Sequence, residues 1–314
     1  MKISTSTFGV IKTYGLEEGL PLLAKAGFEA IDYSITQNAM DWEDDLFLDA
    51  SSPAFAEHFK HIAKLVRDSG LEMYQCHAPY AYPMLSNPPF YRYLQKQIIR
   101  SIYAAGYMEC PNIVAHPVLH KNFINGQNRE LARQTTVEHF SAMAPALRET
   151  GVTMCIENLL FWTSDDKPPV RNACSEAEDL RYVIDTLNDM HGPLFAACVD
   201  TGHAAAVQQD PAEMLRIMGH RTRVLHIQDN HGLDDDHLIP SKGIIDWKSV
   251  AAALGEIGYK GTFNFEVTTH FTDLPRDIYS QEAFQQACNL LYAIGRSLAD
   301  IAENTFAANG YRSL

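Results

Sequence analysis

The stretch Phe195-Ala196-Ala197-Cys198-Val199-Asp200-Thr201-Gly202-His203 is apolar for five residues and then stops on an acid, a glycine and a histidine. A short apolar run of this kind reads as a strand, and its polar stop marks where the chain leaves the sheet. Seven more such runs occur, at 2–8, 28–34, 71–77, 112–116, 153–157, 224–228 and 262–267. Between them lie longer segments with helical spacing, among them 52–69, 89–107, 130–150, 176–188, 211–218 and 247–257. Strand and helix alternate, the rhythm of a parallel sheet with helical crossovers. Gly27, Gly70, Gly151 and Gly258 stand at helix-to-strand turns, where a left-handed cap needs a residue without a Cβ.

Eight such units in 314 residues, 46% of them hydrophobic, fit one closed (β/α)8 TIM barrel spanning 1–314 as a single domain. An open doubly wound sheet would carry a glycine-rich phosphate loop after its first strand, and neither GxGxxG nor GxxxxGK[ST] occurs. Two connections, 35–53 with Trp42 and 79–89 with Tyr80 and Tyr82, are too long for ordinary βα turns and are expected to cover the barrel mouth as lids. The segment 301–314 reads as a helix end followed by a loose terminus.

Thirty-nine acidic residues against 25 lysines and arginines give a formal charge of -14, which repels a polyanion and argues against a nucleic-acid partner. The first residues lack the apolar run of a secretion signal, and no stretch of about 18 uncharged apolar residues reads as a membrane span. A cytoplasmic protein without membrane contact is expected. Its six cysteines are scattered without a CxxC pair and read as reduced small hydrophobes.

The polar residues stand at the strand ends: His77 after the third run, His116 after the fourth, Glu157 after the fifth, Asp200 after the sixth, His226 in the seventh and Glu266 in the eighth. Closing a barrel gathers consecutive strand ends into one ring at its C-terminal face, where barrel enzymes work. One strand-end acid alone is commonly a helix cap or an ion-pair partner; six strands ending on histidine or acid point to a site. Glu157, Asp200, His226 and Glu266 make an oxygen-rich set with one nitrogen, suited to one divalent ion, Mn²⁺ first, with Mg²⁺, Co²⁺ and Zn²⁺ as alternatives.

The blocks Cys198-Val199-Asp200-Thr201-Gly202-His203-Ala204, His226-Ile227-Gln228-Asp229-Asn230, Asp235-Asp236-His237-Leu238-Ile239-Pro240 and Gly243-Ile244-Ile245-Asp246-Trp247 resemble the xylose-isomerase-like superfamily of sugar isomerases and epimerases, and so does Asn264-Phe265-Glu266-Val267. The resemblance extends over nearly the whole chain. It implies the metal set of the ketose 3-epimerase branch, falling on Glu157, Asp200, His226 and Glu266. The same superfamily holds endonuclease IV, whose trinuclear zinc site implies further ligand positions at His77, His116, His203, Asp235 and His237. In sugar-acting members such groups bind substrate hydroxyls, and that is the role expected here because the charge disfavours DNA. Assembly into a homo-oligomer is a further implication of the resemblance. One departure is Pro240-Ser241-Lys242-Gly243, where the family has Pro-Gly-x-Gly, so the seventh loop is expected to take a different path.

The chemistry implied is isomerisation or epimerisation of a sugar or polyol through a metal-stabilised enediolate, with Glu157 and Glu266 as base and acid. An inosose dehydratase-type lyase, a hydroxypyruvate-type isomerase, an endonuclease IV-like trinuclear zinc hydrolase and a non-catalytic sugar-binding barrel are the alternatives. Few lysines and arginines stand in the loops where barrels bind phosphate, which favours a free sugar over a phosphorylated one. Tyr14, Tyr80, Phe161 and Trp162 are candidates for stacking on its face.

Overall fold

Alternation along each strand decides what the barrel shows to its interior. Ile31, Ile113, Ile156, Val199, Leu225 and Phe265 pack outward into the main core beneath the helices. Their neighbours in sequence, among them Asp32, Val114, Glu157, Asp200 and His226, therefore turn inward, because successive side chains on a strand take opposite faces.

The computed structural model describes residues 1–35, 49–164 and 167–309. The barrel strands are β1 (Ile3–Ser6), β2 (Ala30–Ser34), β3 (Glu72–His77), β4 (Asn112–Ala115), β5 (Thr153–Glu157), β6 (Phe195–Asp200), β7 (Thr222–His226) and β8 (Phe263–Phe265). All pair in parallel, in the order β8-β1-β2-β3-β4-β5-β6-β7. The ring closes just past β7, where the Ile227 N–H donates to the Asn264 carbonyl at 2.8 Å and the Glu266 N–H to the Ile227 carbonyl at 3.0 Å. The expected (β/α)8 barrel is the observed one, and all eight apolar runs hold its strands.

The helices are α1 (Phe8–Ala26), α2 (Pro53–Asp68), α3 (Pro88–Tyr107), α4 (Arg129–Ser141), α5 (Ala144–Thr150), α6 (Ala177–His191), α7 (Thr201–Ala206), α8 (Pro211–Met218), α9 (Trp247–Glu256), α10 (Thr268–Thr272) and α11 (Gln281–Ala308). The segment 130–150 forms two helices rather than one. Pro145 at the start of α5 has no N–H to donate, and its ring excludes the carbonyl four residues back, so α4 ends at Ser141. The four cap glycines all take positive φ, from 66° at Gly258 to 106° at Gly27.

A two-stranded antiparallel ribbon, Leu160–Phe161 with Val170–Arg171, leaves the end of β5. Of the two expected lids, most of 35–53 lies outside the described residues, as do residues 310–314 of the tail. The segment 79–89 is described, and carries Tyr80 and Tyr82 over the C-terminal mouth. The six cysteines are buried and unpaired. No helix among the described residues is long and apolar enough to cross a membrane.

Candidate metal centre and its cavity

Four side chains from consecutive strand ends meet at the barrel mouth. One ligating atom from each of Glu157, Asp200, His226 and Glu266 can be chosen so that all lie within 4.8 Å of one another, and all four residues are buried. Two oxygens on opposite sides of one hard divalent ion stand about 4.6 Å apart, so this spread is that of one coordination sphere. Nδ1 of His226 lies 2.9 Å from Oε1 of Glu157, 3.2 Å from Oε2 of Glu266 and 3.9 Å from Oδ2 of Asp200. Asp200 is also the N-cap of α7: its Oδ1 accepts from the His203 N–H at 2.6 Å, which fixes the carboxylate and leaves Oδ2 toward the cluster.

Around these four stand the other expected residues. Oε2 of Glu157 lies 3.4 Å from Nε2 of His77 and 3.3 Å from Nε2 of His116, and its Oε1 lies 3.3 Å from Nδ1 of His203. Asp235 joins two imidazoles, its Oδ2 being 3.3 Å from Nε2 of His203 and 3.0 Å from Nε2 of His237. Above the cluster opens a cavity of about 250 Å³ lined by Phe8, Tyr80, Tyr82, His116, Glu157, Leu159, His203, Asp235, His237, Glu266 and Thr268, without a lysine or arginine. His77 does not reach this wall. It is buried and stacked on the Tyr80 ring with centroids 4.1 Å apart. Tyr82 stacks on His116 in the same manner, with ring centroids 5.3 Å apart.

Burial pulls the Glu157 pKa up, but the His226 charge and hydrogen bonds from His116 and His203 more than offset this and hold it well below the usual carboxylate range. Asp200 goes the other way, pushed up to about 7 by burial and by its neighbours Glu157, Glu266 and Asp235 against the pull of His203. Burial lowers the pKa of His116 in spite of the pull of Glu157. Three buried carboxylates face one imidazole, and the set is short of positive charge. A divalent cation supplies that charge, and the donor set of three carboxylates and one nitrogen suits it.

Several contributors were not legible as such. Asp32 sits inside the apolar run of β2 rather than at its end, yet its Oδ2 lies 3.2 Å from Nε2 of His226. Its one signal is an acid at an inward position of a buried strand. Phe8, Leu159 and Thr268 line the cavity directly after strand ends, where no chemistry marks them. Of the four aromatics expected at the mouth, Tyr80 lines the cavity, whereas Tyr14 packs on Phe284 with ring centroids 4.6 Å apart. Trp162 donates from Nε1 to Oδ1 of Asp234 at 3.3 Å, and neither it nor Phe161 lines the wall. In the seventh loop Ser241 takes φ 73°, a left-handed conformation that glycine adopts freely.

Residues 20–293 match the xylose isomerase-like TIM barrel family. The chain belongs to that family. Among curated relatives it is 22% identical over 300 residues, 88% of this chain and 87% of the other, to the uncharacterized protein y4fM of Sinorhizobium fredii. It is 26% identical over 155 residues to the fructoselysine 3-epimerase of Escherichia coli O157:H7, a match covering 49% of this chain and about half, 52%, of that protein. Among solved structures a D-tagatose 3-epimerase-like protein superposes with a TM-score of 0.69 at 17% identity, covering 97% of this chain and 99% of that one. The two chains therefore share the barrel although they share little sequence.

Proposed function

We propose that this chain is a divalent-metal-dependent isomerase or epimerase of an uncharged sugar or polyol. The observation that carries the reading is the floor of the cavity: Glu157 and Glu266 face it from the same four-residue cluster, under walls of tyrosine and imidazole with no lysine or arginine among the described residues. The likeness of half the chain to a fructoselysine 3-epimerase supports the epimerase part of this reading. Glu157, Asp200, His226 and Glu266 would hold the ion, which when bound supplies Lewis-acid stabilisation of negative charge on neighbouring substrate oxygens. Glu157 and Glu266 remove and return the proton on the carbon next to the carbonyl, and for this one oxygen of each must be free of the ion. His116, His203, His237 and Asp235 orient hydroxyls, and Tyr82 and Phe8 offer faces to the C–H side of the ring and keep water out. Mn²⁺ is the first candidate ion.

The Asp235 carboxylate bridging His203 and His237 next to Glu157 favours a second reading, a polynuclear zinc hydrolase. Metal content per chain separates the two, one ion for the isomerase and three for the hydrolase. Incubation of the metal-loaded protein with ketoses and inososes in D₂O then tests the chemistry. Deuterium in recovered sugar of unchanged formula supports the proposal; loss of water assigns a dehydratase instead, and turnover without deuterium incorporation into any product removes proton transfer with the solvent from the mechanism.

A further inference from the structure

Asp32 lies one layer below the cluster, fully buried in the middle of β2. The β2–β3 register slips between Ile31 and Asp32, so that Ile31 pairs with Met73 but Asp32 with Gln75. Such an irregularity re-aims a side chain. A single oxygen, Oδ2, collects donors from three strands: Nε2 of Gln75 at 3.0 Å, Nε2 of His226 at 3.2 Å and Nδ2 of Asn264 at 3.3 Å. The other oxygen, Oδ1, is buried with no hydrogen-bond partner among the described residues. Placing an acid here carries a desolvation penalty that packing alone does not explain.

We propose that Asp32 is a positioning residue of the metal centre, which accepts the Nε2 proton of His226 and thereby turns the unprotonated Nδ1 toward Glu157, Asp200 and Glu266. An imidazole offers a lone pair only from the nitrogen without a proton, and the partner of the other nitrogen decides which one that is. Here the two ring nitrogens have distinct company: Nε2 faces Asp32, while Nδ1 lies 2.9 Å from Oε1 of Glu157 and 3.2 Å from Oε2 of Glu266. Gln75 and Asn264 hold the carboxylate in turn, so β2, β3 and β8 set the ring before any ligand arrives. The inference rests on the metal reading of the cluster and adds to it a residue that makes no contact with the cavity.

The test is metal affinity, measured for Zn²⁺ and Mn²⁺ by competition with a chromophoric chelator. Asp32→Asn keeps the shape and a carbonyl acceptor but removes the charge, and Asp32→Ala removes both. About tenfold weaker binding is expected for the first and about 100-fold for the second, the range typical of partners behind a ligating histidine. Met190→Ala, exposed near the C-terminal end of α6 and outside the cluster and its cavity, is expected to bind as the wild type does. A second readout needs no change at Asp32: in the zinc-loaded wild-type protein the ¹H–¹⁵N correlation of His226, identified by its loss in His226→Gln, is expected on Nε2. A proton on Nδ1 overturns the inference, as does wild-type affinity in a folded Asp32→Ala. Wild-type protein that binds no divalent ion at all removes the metal reading itself, a different result from either.

Discussion

His203 and His139 are buried to nearly the same degree, 6% and 1% exposed, and both sit on helices. Their surroundings differ. Burial lowers the pKa of His203, but Asp200 and Asp235 outweigh it and raise the group well above its ordinary value. Among the described residues the His139 ring has the Tyr91 hydroxyl at 2.9 Å from Nδ1 and no hydrogen-bond partner at Nε2, and burial lowers it to about 3. Burial by itself therefore makes a histidine neutral and inert; carboxylates around it make it a cation or a ligand. The mouth of this barrel is distinguished by that company rather than by its histidines.

The largest effect expected from breaking that company is at Glu157, whose carboxylate lies within 3.4 Å of His77, His116, His203 and His226 at once. Glu157→Gln, and Glu266→Gln beside it, should lower kcat for the proposed proton transfer by roughly 10²- to 10⁴-fold and reduce metal content. Steady-state kinetics with elemental analysis check both. Either variant retaining kcat within tenfold would take that glutamate out of the chemistry.

Asp229 is a buried acid of the opposite kind, answered by N–H groups instead of imidazoles. Its carboxylate accepts from the backbone of Ser241 and Gly243 at 3.0 Å, from Ile245 at 3.2 Å and from Nε1 of Trp247 at 2.9 Å. It shapes the loop that presents Asp235 and His237. Asp229→Asn turns an acceptor into a donor facing donors, and should cost about 3 kcal/mol in denaturant unfolding. Metal stoichiometry is expected to stay as in the wild type, because none of the four ligands lies in that loop; loss of the ion would show that the two regions are not separable.

The barrel was legible in the sequence because each strand is a short apolar run that stops on a polar residue. Most of the site was legible for the same reason, since closure gathers those stops: His116, Glu157, Asp200, His203, His226 and Glu266 all fall where the ring brings them. What did not show depends on contacts across the barrel. Asp32 lies inside its run and gains meaning only from His226, 194 residues away in sequence. Tyr14 reads like a mouth aromatic, but its helix turns it onto Phe284. The break between α4 and α5 was signalled by Pro145, and helical periodicity on both sides concealed it.

His139 gives a pH signature that the site does not share. Its folded pKa of about 3 lies below the ordinary value of about 6.5, so between those limits the unfolded chain binds a proton that the folded one does not. Its contribution to stability is therefore lost as pH falls from about 6.5 toward 3, about 2 kcal/mol by pH 5. His139→Phe removes that part of the acid sensitivity. Unfolding free energies at pH 7 and pH 5 should differ by about 2 kcal/mol less in the variant than in the wild type; equal differences would mean that the ring is not neutral in the fold.

The smallest effect concerns the backbone of the Asp229 loop. Ser241 holds φ 73° while its N–H donates to Asp229, so the turn is kept at the expense of a Cβ in the left-handed region. Two residues on, Gly243 has no such latitude: a Cβ there would stand 2.1 Å from the Asn230 carbonyl oxygen. Ser241→Gly relieves the first strain and returns some entropy to the unfolded chain, for a net gain of about 1 kcal/mol and roughly 2 °C in Tm. Calorimetry of the two forms decides it. A fall in Tm would show that the serine stabilises the turn by more than the left-handed backbone costs, and that the loop owes its shape to residue 241 as well as to Asp229.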